Sequence, residues 1–365
     1  MRAAVGLALL GGALLSSRPA RADESERYFY KGYDYGSQSL QNPIYALLSR
    51  GYDTLQLRPQ NRSLALSQVD VQNVLGNLAD PFRAIHADGW GKFLREEIFP
   101  LSFGQNTARW VPNYTLHLLG GGQTFAWVRE WFLDHEAPPI LASFLSGLTT
   151  MTAALVNESI ENKGVRGFNT DCLADIYVFD LGGIALFSFE SVRRFFSHTV
   201  VLSDWSLQPA ITLPHGDLHN VGNYYSLKIP TVLFENVRLF AYSGYATLGG
   251  LSYRFAHTGY SLSAGVGERL SNFVNVGGAN VVSNEVHFKP SGGVFLDRNE
   301  SVLASVEVSA ILDYSVSANV YPNAFFHTDP GVGAFTAVGT DGRWVAGFSF
   351  TRAFGLGLGL GFGTR

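Results

Sequence analysis

Between positions 113 and 190 this chain threads His117, Arg129, Glu130, Glu158, Glu161, Asp171, Asp175 and Asp180 through sequence apolar enough to be buried. Buried charge is costly unless it is paired or coordinated, so the pattern needs a chemical reason. Glu158 and Glu161 are three apart and Asp171 and Asp175 four apart, so each pair shares one face of a helix. If those helices pack side by side, up to four carboxylates meet. Such a group either binds a cation such as calcium or magnesium through oxygen ligands or shares protons. The structural alternative is that each acid caps a helix end or pairs with Arg129, Arg166 or Arg193. His117 would complete a hydrolase constellation if an acid and a hydroxyl came within reach; otherwise it is a hydrogen-bonded core histidine. The candidate site is therefore His117, Glu158, Glu161, Asp171 and Asp175. No cofactor motif accompanies it, and a divalent cation at the acidic cluster is the one group the residues would accept. Gly120-Gly121-Gly122 lacks the Lys-Ser/Thr sequel of a phosphate loop, and no G-x-S-x-G, H-E-x-x-H or C-x-x-C is present.

The elements that must position these residues are a helical segment and a set of strands. The run 138–157 has no charge and is about long enough to cross a bilayer. Ser143, Ser146, Gly147, Thr149, Thr150 and Thr152 make its insertion marginal, and their hydroxyls can bond back to helix carbonyls. Such a helix suits packing inside a barrel or against its wall. Pro138 and Pro139 fit a first turn, while Glu158 and Glu161 fall at the C-terminal end, where the dipole opposes them and a partner is needed. Asp171, after Thr170, is expected to cap a helix starting at Cys172. The glycine triplet predicts a bend or a close backbone approach.

From His198 onward the periodicity is two. Runs such as RLFAYSGYATLGG, SVLASVEVSAIL, GVGAFTAVGT and RWVAGFSFTRAF alternate small or polar residues with apolar ones, separated by turn signals such as DRNE, TDPG and GTDG. The spacing predicts roughly eight to twelve strands. Leu356, Leu358, Leu360 and Phe362 in GLGLGLGFG share one face, with glycine on the other. Trp205, Tyr224, Tyr225, Tyr321 and Trp344 read as interfacial belt aromatics or, alternatively, as core aromatics. His215, Asp217 and His219 alternate as metal ligands on a strand would, but Pro214, Gly216 and Gly222 mark a hairpin turn instead.

Composition sets the environment. Charged residues are 15% of the chain, aromatics 13%, and glycines number 40, too few charges for an ordinary soluble surface. The net charge of −4 gives no footing for nucleic acid. Arg2, an apolar core and Ala20-Arg21-Ala22 before Asp23 read as a cleaved export signal. Cys172 is the lone cysteine, so no internal disulfide assists the fold. The expected fold is mainly β with a helical segment: an antiparallel transmembrane β-barrel with central helices packed in or beneath it. The expected divisions are a signal peptide at 1–22, a lead-in at 23–112, the acidic helical segment at 113–197 and barrel strands at 198–365. Residues 23–112 read as holding only short helices, one of them halted by Pro81.

The pattern Asn113-Tyr114-x-x-His117-x-x-Gly120-Gly121, then Asn157-Glu158-x-x-Glu161, Asp171, Asp175 and Gly182-Gly183 resembles an uncharacterised family of bacterial outer-membrane proteins. The likeness covers about the first half of the mature chain. His117-Leu118 stands where the family usually has His-Pro, and Asn157 where it often has Trp. The resemblance implies an outer-membrane location in a Gram-negative-type bacterium, with membrane lipid as partner, and no particular chemistry. Three functions stay open: a structural or transport-related barrel, an envelope lipid-modifying enzyme using His117 and the acids, and a secreted soluble β protein that binds a ligand.

Overall fold

The computed structural model describes residues 27–57, 62–100, 110–232, 234–278, 281–311, 314–351 and 354–363, with backbone only over 272–278 and 281–286. The expected signal peptide 1–22 lies outside the described residues. Helices occupy the first half and strands the second, and helices take a larger share than the sequence pattern implied.

Local signals explain the first helices. Asn42 caps α1 (Pro43–Gly51), accepting from the Ile44 and Tyr45 N–H groups at 3.0 Å each, with Pro43 at the first helical position. Ser67 caps α2 (Gln68–Ala79), and Asp80 caps α3 (Pro81–Asp88), so Pro81 both ends one helix and starts the next. A short helix, α4 (Trp90–Phe93), continues as a π-turn over Leu94–Ile98.

The central segment is built of longer helices. Helix α5 spans 111–134, π-helical over Val111–Gly121 and α-helical over Gly122–Asp134, and it runs through the glycine triplet without breaking. The glycines serve close approach instead. A Cβ on Gly120 would meet Tyr225, one on Gly121 would meet Asp180 and Arg50, and one on Gly122 would meet Phe187 and the Gly183 carbonyl. Helix α6 (Pro139–Glu161) begins as predicted and extends one turn beyond the uncharged run. Its hydroxyls do bond back: Thr149 donates to Leu145 O at 2.8 Å, Thr150 to Ser146 O at 3.0 Å and Ser159 to Leu155 O at 2.7 Å. Helix α7 (Asp171–Ser188) is π-helical over Ala174–Asp180 and meets α8 (Glu190–Thr199) at a bend of 89°. The expected Asp171 cap is corrected: Thr170 occupies the cap position without a side-chain bond, and Asp171 is the first helical residue.

Among the described residues the second half forms one thirteen-stranded, mostly antiparallel sheet in the order β1-β4-β5-β6-β7-β8-β9-β10-β11-β12-β13-β2-β3. The strands are β1 (Leu202–Asp204), β2 (Ala210–Leu213), β3 (Asp217–His219), β4 (Tyr225–Pro230), β5 (Val237–Ser243), β6 (Ala246–Arg254), β7 (Tyr260–Gly278), β8 (Val281–Arg298), β9 (Ser301–Ser309), β10 (Val316–Val320), β11 (Val332–Val338), β12 (Trp344–Phe350) and β13 (Gly357–Phe362). Asp204 pairs with Tyr225 and Ala210 with His219, and between them Trp205 and Leu207 donate to the Tyr224 and Gly222 carbonyls. Hence β1 and β2 lie on one chain path and β3 and β4 on the next, so the thirteen strands follow eleven paths. The His215 region is the predicted turn, with Gly216 at φ 74° between β2 and β3.

The two faces differ sharply. Leu251, Val266, Val308, Phe348 and Leu358 are exposed on one face, together with Leu360 and Phe362 as the glycine alternation predicted. On the other, Ser252, Ser263, Asp297, Ser305, Glu307, Asn319 and Ser349 are buried. Of the five candidate belt aromatics, Trp344 is exposed and the other four are buried core residues. Tyr224 stacks on Tyr242 at 4.9 Å, and Tyr242 lies 4.5 Å from Phe295.

The helices pack on the face opposite to Tyr224 and Lys228, because neighbouring side chains on a strand point to opposite faces. Tyr225 meets Gly120 of α5, and Trp127 Nε1 donates to Asp204 at 3.1 Å. The N-terminal segment runs from the β8–β9 turn, where Gln38 N bonds Ser301 Oγ at 3.2 Å, to the β5–β6 turn, where Thr54 Oγ1 lies 3.2 Å from Tyr245 OH.

Candidate functional site

Three helices bring the site together. His117 lies on the π-helical half of α5, Glu158 near the end of α6 and Asp175 on the π-helical part of α7. All three are buried, and one ligand atom from each lies within 4.8 Å of the others. A π-helical stretch widens the turn and is common where side chains must be aimed at a functional site. Gly122 and Gly183 allow the approach: a Cβ on Gly183 would fall 2.4 Å from the Leu118 carbonyl oxygen, so α5 and α7 touch through backbone.

His117 has a carboxylate beside each ring nitrogen. Nδ1 is 3.2 Å from Asp180 Oδ2, and Nε2 is 3.7 Å from Asp175 Oδ2. Asp180 is fixed in turn by Arg50, whose guanidinium pairs with it and also donates to the Leu116 carbonyl at 2.8 Å. Asn157 Nδ2 donates to the Arg50 carbonyl at 3.0 Å, tying α6 to α1. Asn162 Nδ2 reaches Glu158 Oε2 at 3.2 Å, and Asn169 bonds Asn162 and accepts the Asp171 N–H at 3.0 Å. Glu161 and Asp171 are buried close enough to bear on Glu158 electrostatically, and Glu97 bears on Asp175 in the same way. The five residues read from the sequence therefore fall in one neighbourhood, with His117, Glu158 and Asp175 at its centre.

Other expectations come out differently. Arg166 pairs with Asp70 at 3.0 Å, Arg129 donates to Ser143 at 2.9 Å, and Arg193 donates to the carbonyls of Phe187 and Ser188. The guanidinium in the cluster is that of Arg50, 130 residues before its partner Asp180. Glu130 is structural: its carboxylate accepts the N–H groups of Tyr28, Phe29 and Tyr30 at 3.1, 2.7 and 2.8 Å, anchoring the N-terminal segment. Among the described residues His117 pairs with the carboxylates of Asp180 and Asp175.

A small cavity beside the centre is lined by Arg50, Asp53, His117, Asn157 and Tyr245. Burial pushes the Asp53 carboxyl up to about 7, against the lowering effects of the Asn223 N–H bond and the Arg50 charge. His219, from the H-G-D-L-H run, bonds Tyr314 OH at 2.6 Å and takes no part in the centre.

Comparison of the chain with family models, curated proteins and solved structures finds no match.

Proposed function

We propose that the chain is an integral β-barrel protein of the outer-membrane type, closed to passive diffusion, whose outer wall carries a helical bundle. The observation that carries this reading is the inversion of the sheet. Its exposed face is apolar, with Val266 at 76% and Leu358 at 62% exposure, while its opposite face holds buried ion pairs. Lys228 Nζ lies 2.7 Å from Asp297 and 2.6 Å from Glu300, and Arg269 lies 3.6 Å from Glu307. A sheet in water places its polar face outward; one in lipid does the reverse.

The seam supports closure. β13 pairs with β2 in parallel, through Leu358 with Ile211 and Leu360 with Leu213. Eleven alternating paths put the first and last in the same direction, so a parallel seam is what a closed cylinder of that number requires. Aromatic rings and ion pairs fill the inner face, which argues against an open pore and for a framework role.

The helices extend the apolar exterior. Ile140, Leu141, Phe144 and Leu148 of α6 and Tyr177, Val178 and Leu181 of α7 are exposed, with no charge between them along either helix face. Membrane lipid is the partner these surfaces fit, in line with the resemblance to outer-membrane proteins carried by the Asn113 to Gly183 pattern. Expression followed by carbonate-washed membrane fractionation tests this. The expected result is recovery in the outer membrane with a heat-shifted gel band; recovery as a soluble species contradicts it.

A further inference from the structure

The geometry points to a first-row divalent metal site, for Mn²⁺ or Zn²⁺, built from His117, Glu158 and Asp175. This inference stands on the helices alone and holds whether or not the sheet lies in a membrane.

The first observation is convergence: one ligand atom from each of three helices, all buried, within 4.8 Å of one another. The second is that Glu158 Oε1 and Asp175 Oδ1 have no hydrogen-bond partner among the described residues, although Glu158 is fully buried and Asp175 nearly so. Buried carboxylate oxygens are almost always satisfied, and two unsatisfied ones on residues grouped with a buried histidine ask for a cation.

The orientation of His117 is the third observation. With Nδ1–H donating to Asp180 at 3.2 Å, the Nε2 lone pair is turned toward Asp175. This is the carboxylate–histidine–metal arrangement, in which the outer carboxylate fixes tautomer and ring plane. Arg50 completes the chain by neutralising Asp180. The Nε2 to Asp175 Oδ2 separation of 3.7 Å is too long for a hydrogen bond. It is close to the roughly 3.3 Å between two ligands of a tetrahedral ion bound at about 2.0–2.1 Å.

Charge balance agrees. Glu161, Asp171 and Asp180 all bring like charge to bear on Glu158, and the Arg50 guanidinium is paired with Asp180. A dication offsets much of that excess. The class of ion follows from the donor set. Calcium and magnesium prefer all-oxygen shells, whereas an imidazole nitrogen with two carboxylates suits Mn²⁺ or Zn²⁺ and leaves further positions open. The cation choice suggested by the acids alone, calcium or magnesium, changes because His117 joins them.

The test uses the full chain in detergent micelles, stripped with chelator and titrated with Mn²⁺, Zn²⁺, Ca²⁺ and Mg²⁺. Uptake is read by elemental analysis and by the thermal unfolding midpoint. The inference expects about one equivalent of Mn²⁺ or Zn²⁺ and a raised midpoint, with Ca²⁺ and Mg²⁺ binding far more weakly. Asp180→Asn should weaken binding by about 10–100-fold and Glu158→Gln by more. Pulsed electron paramagnetic resonance of the Mn²⁺-loaded wild type needs no variant and should detect an imidazole nitrogen on the ion. No uptake, uptake unchanged in Glu158→Gln, equal preference for Ca²⁺, or Mn²⁺ without nitrogen coupling would each overturn the site.

Discussion

Asp53 is the residue whose protonation reports most directly on how dry the cavity beside His117 is. Its folded value of about 7 stands above the ordinary 3.8, so the folded state holds a proton that the unfolded state releases. Stability from this group is therefore full at low pH and declines as pH rises from about 4 to about 7. The difference corresponds to a cost on the order of 4 kcal/mol above pH 7. Asp53→Asn removes the titration while keeping an acceptor for Asn223. Denaturant unfolding at pH 4.5 and 8 should show the variant gaining on the wild type as pH rises; a pH-independent gap would refute the assignment. Glu130→Ala leaves three buried N–H groups without their acceptor, and about 3 kcal/mol or more of stability should be lost in the same assay. At this scale the sequence was readable where spacing alone decides. Glu158 with Glu161 and Asp171 with Asp175 share faces because three and four residues nearly complete a helical turn. Arg50 was not readable, because its meeting with Asp180 is tertiary and nothing local to either residue encodes it. Glu130 looked like a functional acid and proved to be an anchor for backbone that precedes it by about a hundred positions.

The helices show what the glycines are for. Triplet 120–122 was expected to bend the chain or to permit close approach, and only the second occurs, since helical geometry continues from Val111 to Asp134. The contact between α5 and α7 gives a paired prediction. Gly183→Ala places a methyl 2.4 Å from the Leu118 carbonyl oxygen and 2.9 Å from Gly122 N, so it should cost about 3 kcal/mol. Gly147→Ala on α6 meets nothing within 4 Å and should stabilise by up to about 1 kcal/mol through helix propensity. Unfolding midpoints that move in the same direction for both would contradict the packing. Periodicity located α6 and most strands well, because an uncharged run and an alternation of two are local properties. The π-helical turns at His117 and Asp175 had no sequence signal, since their wider hydrogen-bond spacing is imposed by packing across α5, α6 and α7.

For the whole molecule, the sequence carried the large antiparallel sheet, its turn at His215 and the short helices before residue 113, one of which ends ahead of Pro81 as expected. There Asn42, Ser67 and Asp80 are the capping residues that mark the helix starts. The interruption of two paths into β1/β2 and β3/β4 was illegible, because it depends on residues 205–209 and 220–224 keeping partners without keeping regular strand geometry. The central claim is that the apolar face of the sheet lies against lipid. It is tested by a spin-label scan of residues 332–338 along β11, on a Cys172→Ser background in reconstituted bilayers. Collisions with lipid-soluble oxygen should peak at positions 332, 334, 336 and 338 and fall at 333, 335 and 337, following the exposure of Val332, Thr336 and Val338 and the burial of Phe335 and Ala337. Peaks at those four positions for a water-soluble nickel chelate instead would place that face in water and contradict the account.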